Sequence, residues 1–136
     1  MDYEFLSVGA KAGELDRVLS FIEERLDAHG CGPRAAMQIL VSAEEIFINI
    51  ANYAYPEGEG RAEVGIAFDE DGCRLRFADG GIPFNPLKVP DPDVTLSAKE
   101  RKIGGLGIYM AKKAMDGISY EYADGKNILV MKRSLS

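Results

Sequence analysis

A stripe of polar side chains within an otherwise apolar segment is the part of the sequence best suited to chemistry. Gln38, Ser42, Glu45, Asn49 and Asn52 are spaced 4, 3, 4 and 3 residues apart. At 3.6 residues per turn, this spacing places them along one face of a helix. A solvent-facing helix usually carries a mixture of charges, whereas this face holds one acid, amides and a hydroxyl. The pattern predicts either a helix lining a polar ligand cavity or a stripe satisfied by neighbouring backbone.

Within the stripe, Glu45 and Asn49 stand four residues apart. A carboxylate and an amide oxygen would therefore project side by side from the helix. Oxygen ligands of this kind suit a hard cation such as magnesium, and the carboxylate could also serve as a general base. The pair is a candidate metal and acid–base site.

An acid followed by two glycines, Asp79-Gly80-Gly81, comes directly after a predicted strand. Glycine lets the backbone approach a ligand closely, and the acid at the strand end supplies an acceptor. Asp-Gly is also common in ordinary turns, so the motif alone leaves both interpretations open.

A second glycine cluster, Gly-Gly-Leu-Gly at residues 104–107, opens a predicted helix. Backbone N–H groups and the helix dipole at such an end attract anions, and Arg101 and Lys102 add positive charge just before it. The cluster matches neither the P-loop nor the dinucleotide-binding pattern, and the H-R-D and D-F-G signatures of protein kinases are absent. Taken alone, the cluster is compatible with a turn as well as a phosphate site.

Composition restricts the class of protein further. The chain has 136 residues and a net charge of -6, which predicts a single domain over residues 1–136 and argues against nucleic-acid binding through bulk charge. No signal peptide or long apolar stretch is present, so we expect a cytoplasmic protein with reduced thiols and no membrane contact. The single histidine, His29, excludes multi-histidine metal centres; it precedes Gly30 at a predicted helix end, where a cation is favourable.

Periodicity and turn signals predict an α+β fold. Alternation predicts strands at residues 3–8, 61–68, 73–78, 118–122 and 126–132, and helical spacing predicts helices at 13–29, 33–54 and 104–116. Strands clustered in hairpins, with helices in separate blocks, indicate one mixed or antiparallel sheet with helices on one face.

The segment at residues 80–103 does not fit this regular plan. It is longer than ordinary loops, and Pro86, Pro90 and Pro92 exclude a long helix. The sequence leaves two interpretations, a lid over a ligand or a surface excursion.

The order of these motifs resembles the GHKL ATPase superfamily of gyrase, histidine kinases and their relatives. The similarity is greatest to the bacterial anti-sigma-factor serine kinase branch, and it extends over nearly the whole chain. It rests on residues 45–55 (EIFINIANYAY), 79–86 (DGGIPFNP), 100–101 (ER), 104–109 (GGLGIY) and 124–127 (DGKN).

The resemblance implies a fold, two cofactors and roles for individual residues. The fold would be a Bergerat-type two-layer sandwich with about three helices on one face, binding ATP and Mg²⁺. Glu45 would be the general base, Asn49 the magnesium ligand, Asp79 the acceptor for the adenine amino group, and Gly81 would give the base room. Arg101 or Lys102 would reach the terminal phosphate. The predicted nucleotide contacts are Asn49, Asn52, Asp79, Gly81, Arg101, Lys102, Gly104, Gly105, Leu106 and Gly107.

Two positions depart from the common pattern of the superfamily. Pro83 occupies the place of a second glycine, although proline there is similar to the anti-sigma-factor branch, and Tyr53 stands where histidine is frequent. Neither change removes a matched catalytic group.

The resemblance also implies a function. The protein would phosphorylate serine or threonine on a small anti-sigma-factor antagonist, would hold a sigma factor, and would form a homodimer. The alternative is a non-catalytic interaction module of the same fold, with nucleotide as a structural or switching ligand.

Overall fold

In the part of the chain that the structure describes, five strands form one antiparallel sheet in the spatial order β1-β2-β3-β5-β4. The computed structural model describes residues 2–88 and 105–136. The strands are β1 (Glu4–Gly9), β2 (Arg61–Asp69), β3 (Gly72–Asp79), β4 (Gly117–Ala123) and β5 (Lys126–Arg133). The helices are α1 (Leu15–Ala28), α2 (Pro33–Tyr53) and α3 (Gly105–Ala114), with short 3-10 turns at Ala12–Glu14 and Pro86–Lys88.

Two tight turns set the register of the hairpins. In the β2–β3 turn, the side-chain Oδ1 of Asp69 accepts hydrogen bonds from the backbone N–H groups of Asp71 and Gly72, at 2.8 and 3.1 Å. In the β4–β5 turn, Asp124 and Gly125 have φ angles of 52° and 75°. Asp-Gly tolerates this left-handed backbone, which matches the twist of paired strands. Both hairpins occur where the sequence predicts them.

The core lies between the sheet and the three helices. Successive residues of a strand face opposite sides, so alternate apolar residues of the strands form one continuous inner surface. The helix α2 packs against α1, α3 and the strand β3. The principal buried side chains are Val64, Ile66, Leu75, Phe77 and Met131 from the sheet, and Ile22, Leu26, Ile39, Phe47 and Ile108 from the helices. The predicted α+β sandwich is confirmed, and its sheet is antiparallel.

The element boundaries differ from the predicted ones only slightly. The helix α1 begins at Leu15, because a 3-10 turn occupies the residues before it. His29 is the C-cap of α1 and stacks on Phe68 with ring centroids 3.6 Å apart. None of the helices in the described ranges is both long and apolar enough to cross a membrane.

The sheet register brings distant polar residues together. Asp79, the last residue of β3, pairs with Asn127 near the start of β5. The chain that follows β3 lies against the C-terminal end of α2, since the N–H of Ile82 donates to the carbonyl of Ala54 at 2.9 Å. These contacts place the end of β3 between α2 and β5, where the candidate site is found.

Candidate functional site

A pocket opens between the C-terminal half of α2 and the strands β3, β4 and β5. Apolar side chains form most of its wall, and a small group of polar side chains lies among them. Such a combination is typical of small-molecule sites, in which a few polar groups fix the orientation of a mainly apolar ligand. The polar lining residues are Asn49, Tyr53, Asp79, Tyr120 and Asn127, and the apolar ones include Ile46, Ile50, Phe77, Ile82 and Leu129.

Asp79 is buried, with only 6% of its surface exposed. Its Oδ1 accepts two hydrogen bonds, from the N–H of Gly81 at 2.9 Å and from Nδ2 of Asn127 at 3.0 Å. Its Oδ2 makes no hydrogen bond with any residue in the described ranges. A fixed carboxylate with one unused oxygen, set in an apolar pocket, is an acceptor for an N–H group of a ligand.

Asn127 makes four hydrogen bonds with groups around the pocket. Its Nδ2 donates to Oδ1 of Asp79 and to the carbonyl of Ile82, at 3.0 and 2.9 Å. Its Oδ1 accepts from the N–H of Phe84 at 3.0 Å and from the hydroxyl of Tyr120 at 2.5 Å. Burial raises the pKa of the Tyr120 phenol, while the nearby Phe84 N–H opposes that shift. The phenol therefore remains a hydrogen-bond donor at neutral pH.

Sequence reasoning missed Asn127 as a site residue. The sequence indicates Asn127 only as part of the hairpin at residues 124–127. Asparagine is depleted in strands, and a buried polar side chain needs partners. An asparagine within a predicted strand was therefore the signal that could have identified it.

Hydrogen bonds of Tyr55 connect the loop after α2 with the loop after β3. Its hydroxyl donates to the carbonyl of Arg61 at 2.6 Å and accepts from the N–H of Gly80 at 2.8 Å. Gly81 lies directly against Ala54, because a Cβ atom at Gly81 would overlap the Ala54 carbonyl. The small size of Gly81 therefore allows the β3 loop to approach α2 closely.

Glu45 and Asn49 stand one turn apart on α2, and of the two only Asn49 is among the residues that line the pocket. The Glu45 carboxylate lies against Gly107 in the first turn of α3, and a side chain at Gly107 would overlap it. The partial positive charge at a helix N-terminus favours a carboxylate in that place. Asn49 lines the pocket one turn further along α2. Neither side chain is hydrogen-bonded to another residue in the described parts of the chain.

The other members of the polar stripe have different environments. Oε1 of Gln38 accepts a hydrogen bond of 2.6 Å from Nη2 of Arg133, and Ser42 is buried with 1% of its surface exposed. Asn52 is exposed and is absent from the residues that line the pocket. Along the stripe, Gln38 and Ser42 are therefore engaged in the structure, Glu45 lies against α3, and Asn49 lines the pocket.

Some of the predicted nucleotide contacts fall on residues that the structure does not describe. Arg101, Lys102 and Gly104 lie outside the described residues, as does most of the predicted lid. Gly105 begins α3, and Leu106 follows in the helix. Of the glycine cluster, Gly107 alone has a described contact with a predicted site residue, Glu45.

The fold described above has a match among known protein families. Residues 8–133 match the family described as the histidine kinase-like ATPase domain. The chain belongs to this family.

Similar proteins narrow the class further. The serine-protein kinase RsbW of Bacillus mycoides (strain KBAB4) is 30% identical over 100 residues, which cover 71% of this chain and 61% of that protein. RsbW of Bacillus cereus (strain AH187) is 31% identical with the same coverage. The chain thus spans about three fifths of the length of these curated relatives. The predicted resemblance to the anti-sigma-factor serine kinase branch of GHKL proteins is confirmed by these matches.

A solved structure is similar in fold. It is the crystal structure of the RsbU and RsbW domains of Rv1364c from Mycobacterium tuberculosis, with a TM-score of 0.70 and 16% identity. The similarity covers 99% of this chain and 33% of that one. At this identity, the likeness supports the fold alone.

Proposed function

We propose that the protein binds ATP with Mg²⁺ and transfers the terminal phosphoryl group to a serine or threonine of a partner protein. The observation that carries the proposal is the state of Asp79. One of its oxygens is fixed by two hydrogen bonds, and the other has no partner among the described residues. Membership of the ATPase family supports adenine nucleotide as the ligand.

The base would bind at the β3 end of the pocket. Its exocyclic amino group would donate to Oδ2 of Asp79, while Phe77, Ile46 and Leu129 cover its faces with apolar surface. A buried acceptor discriminates well, because a base without the matching donor leaves the acceptor unpaired.

The phosphates would lie toward Glu45 and Asn49. Among the described residues there is no cluster of three or more acidic, cysteine or histidine side chains that could hold a metal ion. Magnesium in nucleotide sites is bound largely by phosphates and water with one or two protein ligands, so the unpartnered amide oxygen of Asn49 fits such an ion. When bound, the ion would neutralise charge on the phosphates.

Glu45 would act on the acceptor hydroxyl. Its carboxylate has no hydrogen-bond partner in the described ranges and lies one helical turn from Asn49. It would orient the hydroxyl and accept its proton as the new oxygen–phosphorus bond forms, while the bond from the γ-phosphorus to the β–γ bridging oxygen of ATP breaks and ADP leaves. The first turn of α3 would add backbone N–H groups toward the phosphates.

The partner follows from the similarity to proteins named serine-protein kinase. We propose a small anti-sigma-factor antagonist as the phosphorylated protein, and a sigma factor as a second protein held by the same domain. A single domain over residues 1–136, a homodimer and a cytoplasmic location complete the proposal. The net charge of -6 supports protein partners over nucleic acid.

Phosphoryl transfer tests the proposal directly. The purified protein is incubated with γ-labelled ATP, Mg²⁺ and a candidate antagonist, and label on the antagonist is counted with the wild type and with Glu45→Gln. We expect label with the wild type alone. ATP binding without transfer to any candidate would favour the non-catalytic module, and failure to bind ATP would contradict the proposal as a whole.

A further inference from the structure

We propose that Asn127 is the positioning residue that makes the pocket selective for the amino group of adenine. The inference deepens the proposed function and rests on it, since it concerns how the site recognises the base. It starts from the four hydrogen bonds of the Asn127 side chain and from the position of Asn127 opposite Asp79 in the sheet.

The chemistry of the side chain suits this position. An amide group carries two N–H donors and an oxygen with two acceptor sites, and Asn127 uses all four. An aspartate of the same shape could keep the bonds to Phe84 and Tyr120, but it would have no donor for Asp79. A single substitution, Asn127→Asp, can therefore remove the N–H donors of the side chain and keep its acceptor oxygen.

The donor half determines which oxygen of Asp79 is left for a ligand. Nδ2 of Asn127 and the N–H of Gly81 both point at Oδ1 of Asp79. With that oxygen engaged twice, rotation of the carboxylate would break two bonds, so Oδ2 stays available to the ligand. Without the Asn127 donor, the carboxylate has one remaining anchor and can turn.

The same amide also holds the wall of the pocket in place. Nδ2 donates to the carbonyl of Ile82, and Oδ1 accepts from the N–H of Phe84, two residues later. The segment that leaves β3 is thereby joined to β5, and both Ile82 and Phe84 line the pocket. Asn127 thus connects the acceptor for the base with the chain that covers it.

The test compares two nucleotides that differ only in the recognised group. Purine riboside triphosphate lacks the exocyclic amino group of ATP and keeps the ring, sugar and phosphates. Affinities of both are measured by calorimetric titration with Mg²⁺ at pH 8, using the wild type, Asn127→Asp and the control Tyr122→Phe. Tyr122 lies opposite Asn127 in β4 and is exposed, outside the pocket lining.

We expect the wild type and the control to prefer ATP by about 10- to 150-fold, as for a hydrogen bond to a charged group. In Asn127→Asp the preference should fall below about threefold, mainly through weaker binding of ATP. A merely structural role would weaken both nucleotides equally and leave the preference unchanged, which would overturn the inference.

A pH series provides a second readout. In Asn127→Asp two carboxylates face each other, and repulsion between the two negative charges favours a state in which they share one proton. As the pH falls from 8 toward 5.5, a proton shared between them restores a donor to Asp79, so the preference for ATP should return. The wild-type preference should change little over this range. A flat, low preference in Asn127→Asp over this range would contradict the assignment.

The wild type and the variants together distinguish failure of the proposed function from failure of the inference about Asn127. If the wild type does not prefer ATP, then base recognition by Asp79 fails, and the inference fails with it. If the wild type prefers ATP and both Asn127→Asp and Asn127→Ser keep that preference, the inference alone is wrong. Should Asn127→Asp not fold by circular dichroism, Asn127→Ser is judged by the same ratio, because its shorter side chain cannot maintain both halves of the network.

Discussion

The two ends of the pocket differ in how far their polar groups are already paired. At the base end, Asp79 and Asn127 are buried and joined by hydrogen bonds to one another and to the loop that follows β3. At the end where we propose the phosphates, Asn49 of the pocket lining and the neighbouring Glu45 are only partly buried, and within the described ranges their side chains have no hydrogen-bond partner. One end is assembled by the fold, whereas the other presents free groups.

This difference has a physical origin and a functional consequence. Buried polar groups must be paired to be tolerated, and a paired acceptor held in one orientation binds its ligand without further ordering. Groups that act on a reacting phosphate must instead be free to bind the metal and to accept a proton. Under the proposed function, recognition of the base would therefore be built into the sheet, and the chemistry would be carried by α2.

Glu45→Gln should have the largest effect, and it tests whether base recognition and phosphoryl transfer depend on different residues. We expect phosphoryl transfer to fall by about 10²- to 10⁴-fold, the usual contribution of general acid–base catalysis, while ATP affinity changes less than about threefold. Glu44→Gln is the matched control, because it makes the same change one residue away on α2. Full transfer by Glu45→Gln would exclude Glu45 as the base.

Asp79→Ala removes the proposed acceptor for the amino group of the base. Loss of a hydrogen bond to a charged acceptor should reduce affinity for both ATP and ADP by about 10- to 150-fold. Circular dichroism should show a folded protein, and Asp71→Ala, at an exposed turn acid, should bind as the wild type does. Unchanged titration curves for Asp79→Ala would remove Asp79 from the base site.

Asn49→Ala tests whether the phosphate end is a metal site. Affinity for ATP in Mg²⁺ should fall about tenfold, close to 1.4 kcal/mol, through loss of one ligand of the ion. In EDTA the variant and the wild type should bind alike. An equal loss with and without the metal would show that Asn49 contacts the nucleotide and not the ion.

Tyr55→Phe should have the smallest effect on phosphoryl transfer. It removes two hydrogen bonds beside the proposed base site and leaves the acceptor Asp79 unchanged. The ring still packs on Gly60, but the bonds to Arg61 and Gly80 are lost. Both bonds are exposed, so water can replace the hydroxyl, and we expect a loss of about 0.5–1.5 kcal/mol in the free energy of unfolding measured with urea. Transfer activity at saturating ATP should be retained, and a loss as large as that of Glu45→Gln would contradict the separation.

Sequence reasoning predicted the elements and the candidate residues better than their arrangement. Alternation and turn chemistry are local signals, so the hairpins and α2 were predictable from short segments. The pairing of Asp79 with Asn127 was not, because the two residues are 48 positions apart and meet only through the register of β3 and β5. The family resemblance identified Asp79 but not the residue that fixes it.

The polar stripe shows a second limit. From residue 38 to residue 52 it extends about 21 Å along α2, at 1.5 Å per residue, which is longer than one small-molecule pocket. Helical periodicity shows which residues share a face, but not what lies opposite each turn of that face. Gln38 accordingly meets Arg133, whereas Asn49 meets the pocket.

Residue-resolved amide hydrogen exchange tests most directly whether the base end is formed before nucleotide binds. The N–H groups of Gly81 and Phe84 are hydrogen-bonded to Asp79 and Asn127, so both should be protected in the free protein. The first-turn amides of α3 lack intrahelical partners, and they should gain at least about tenfold protection when ATP and Mg²⁺ are added. If instead Gly81 and Phe84 exchange freely until nucleotide binds, or if α3 does not respond to it, the division of the pocket into a preformed base end and a ligand-dependent phosphate end is wrong.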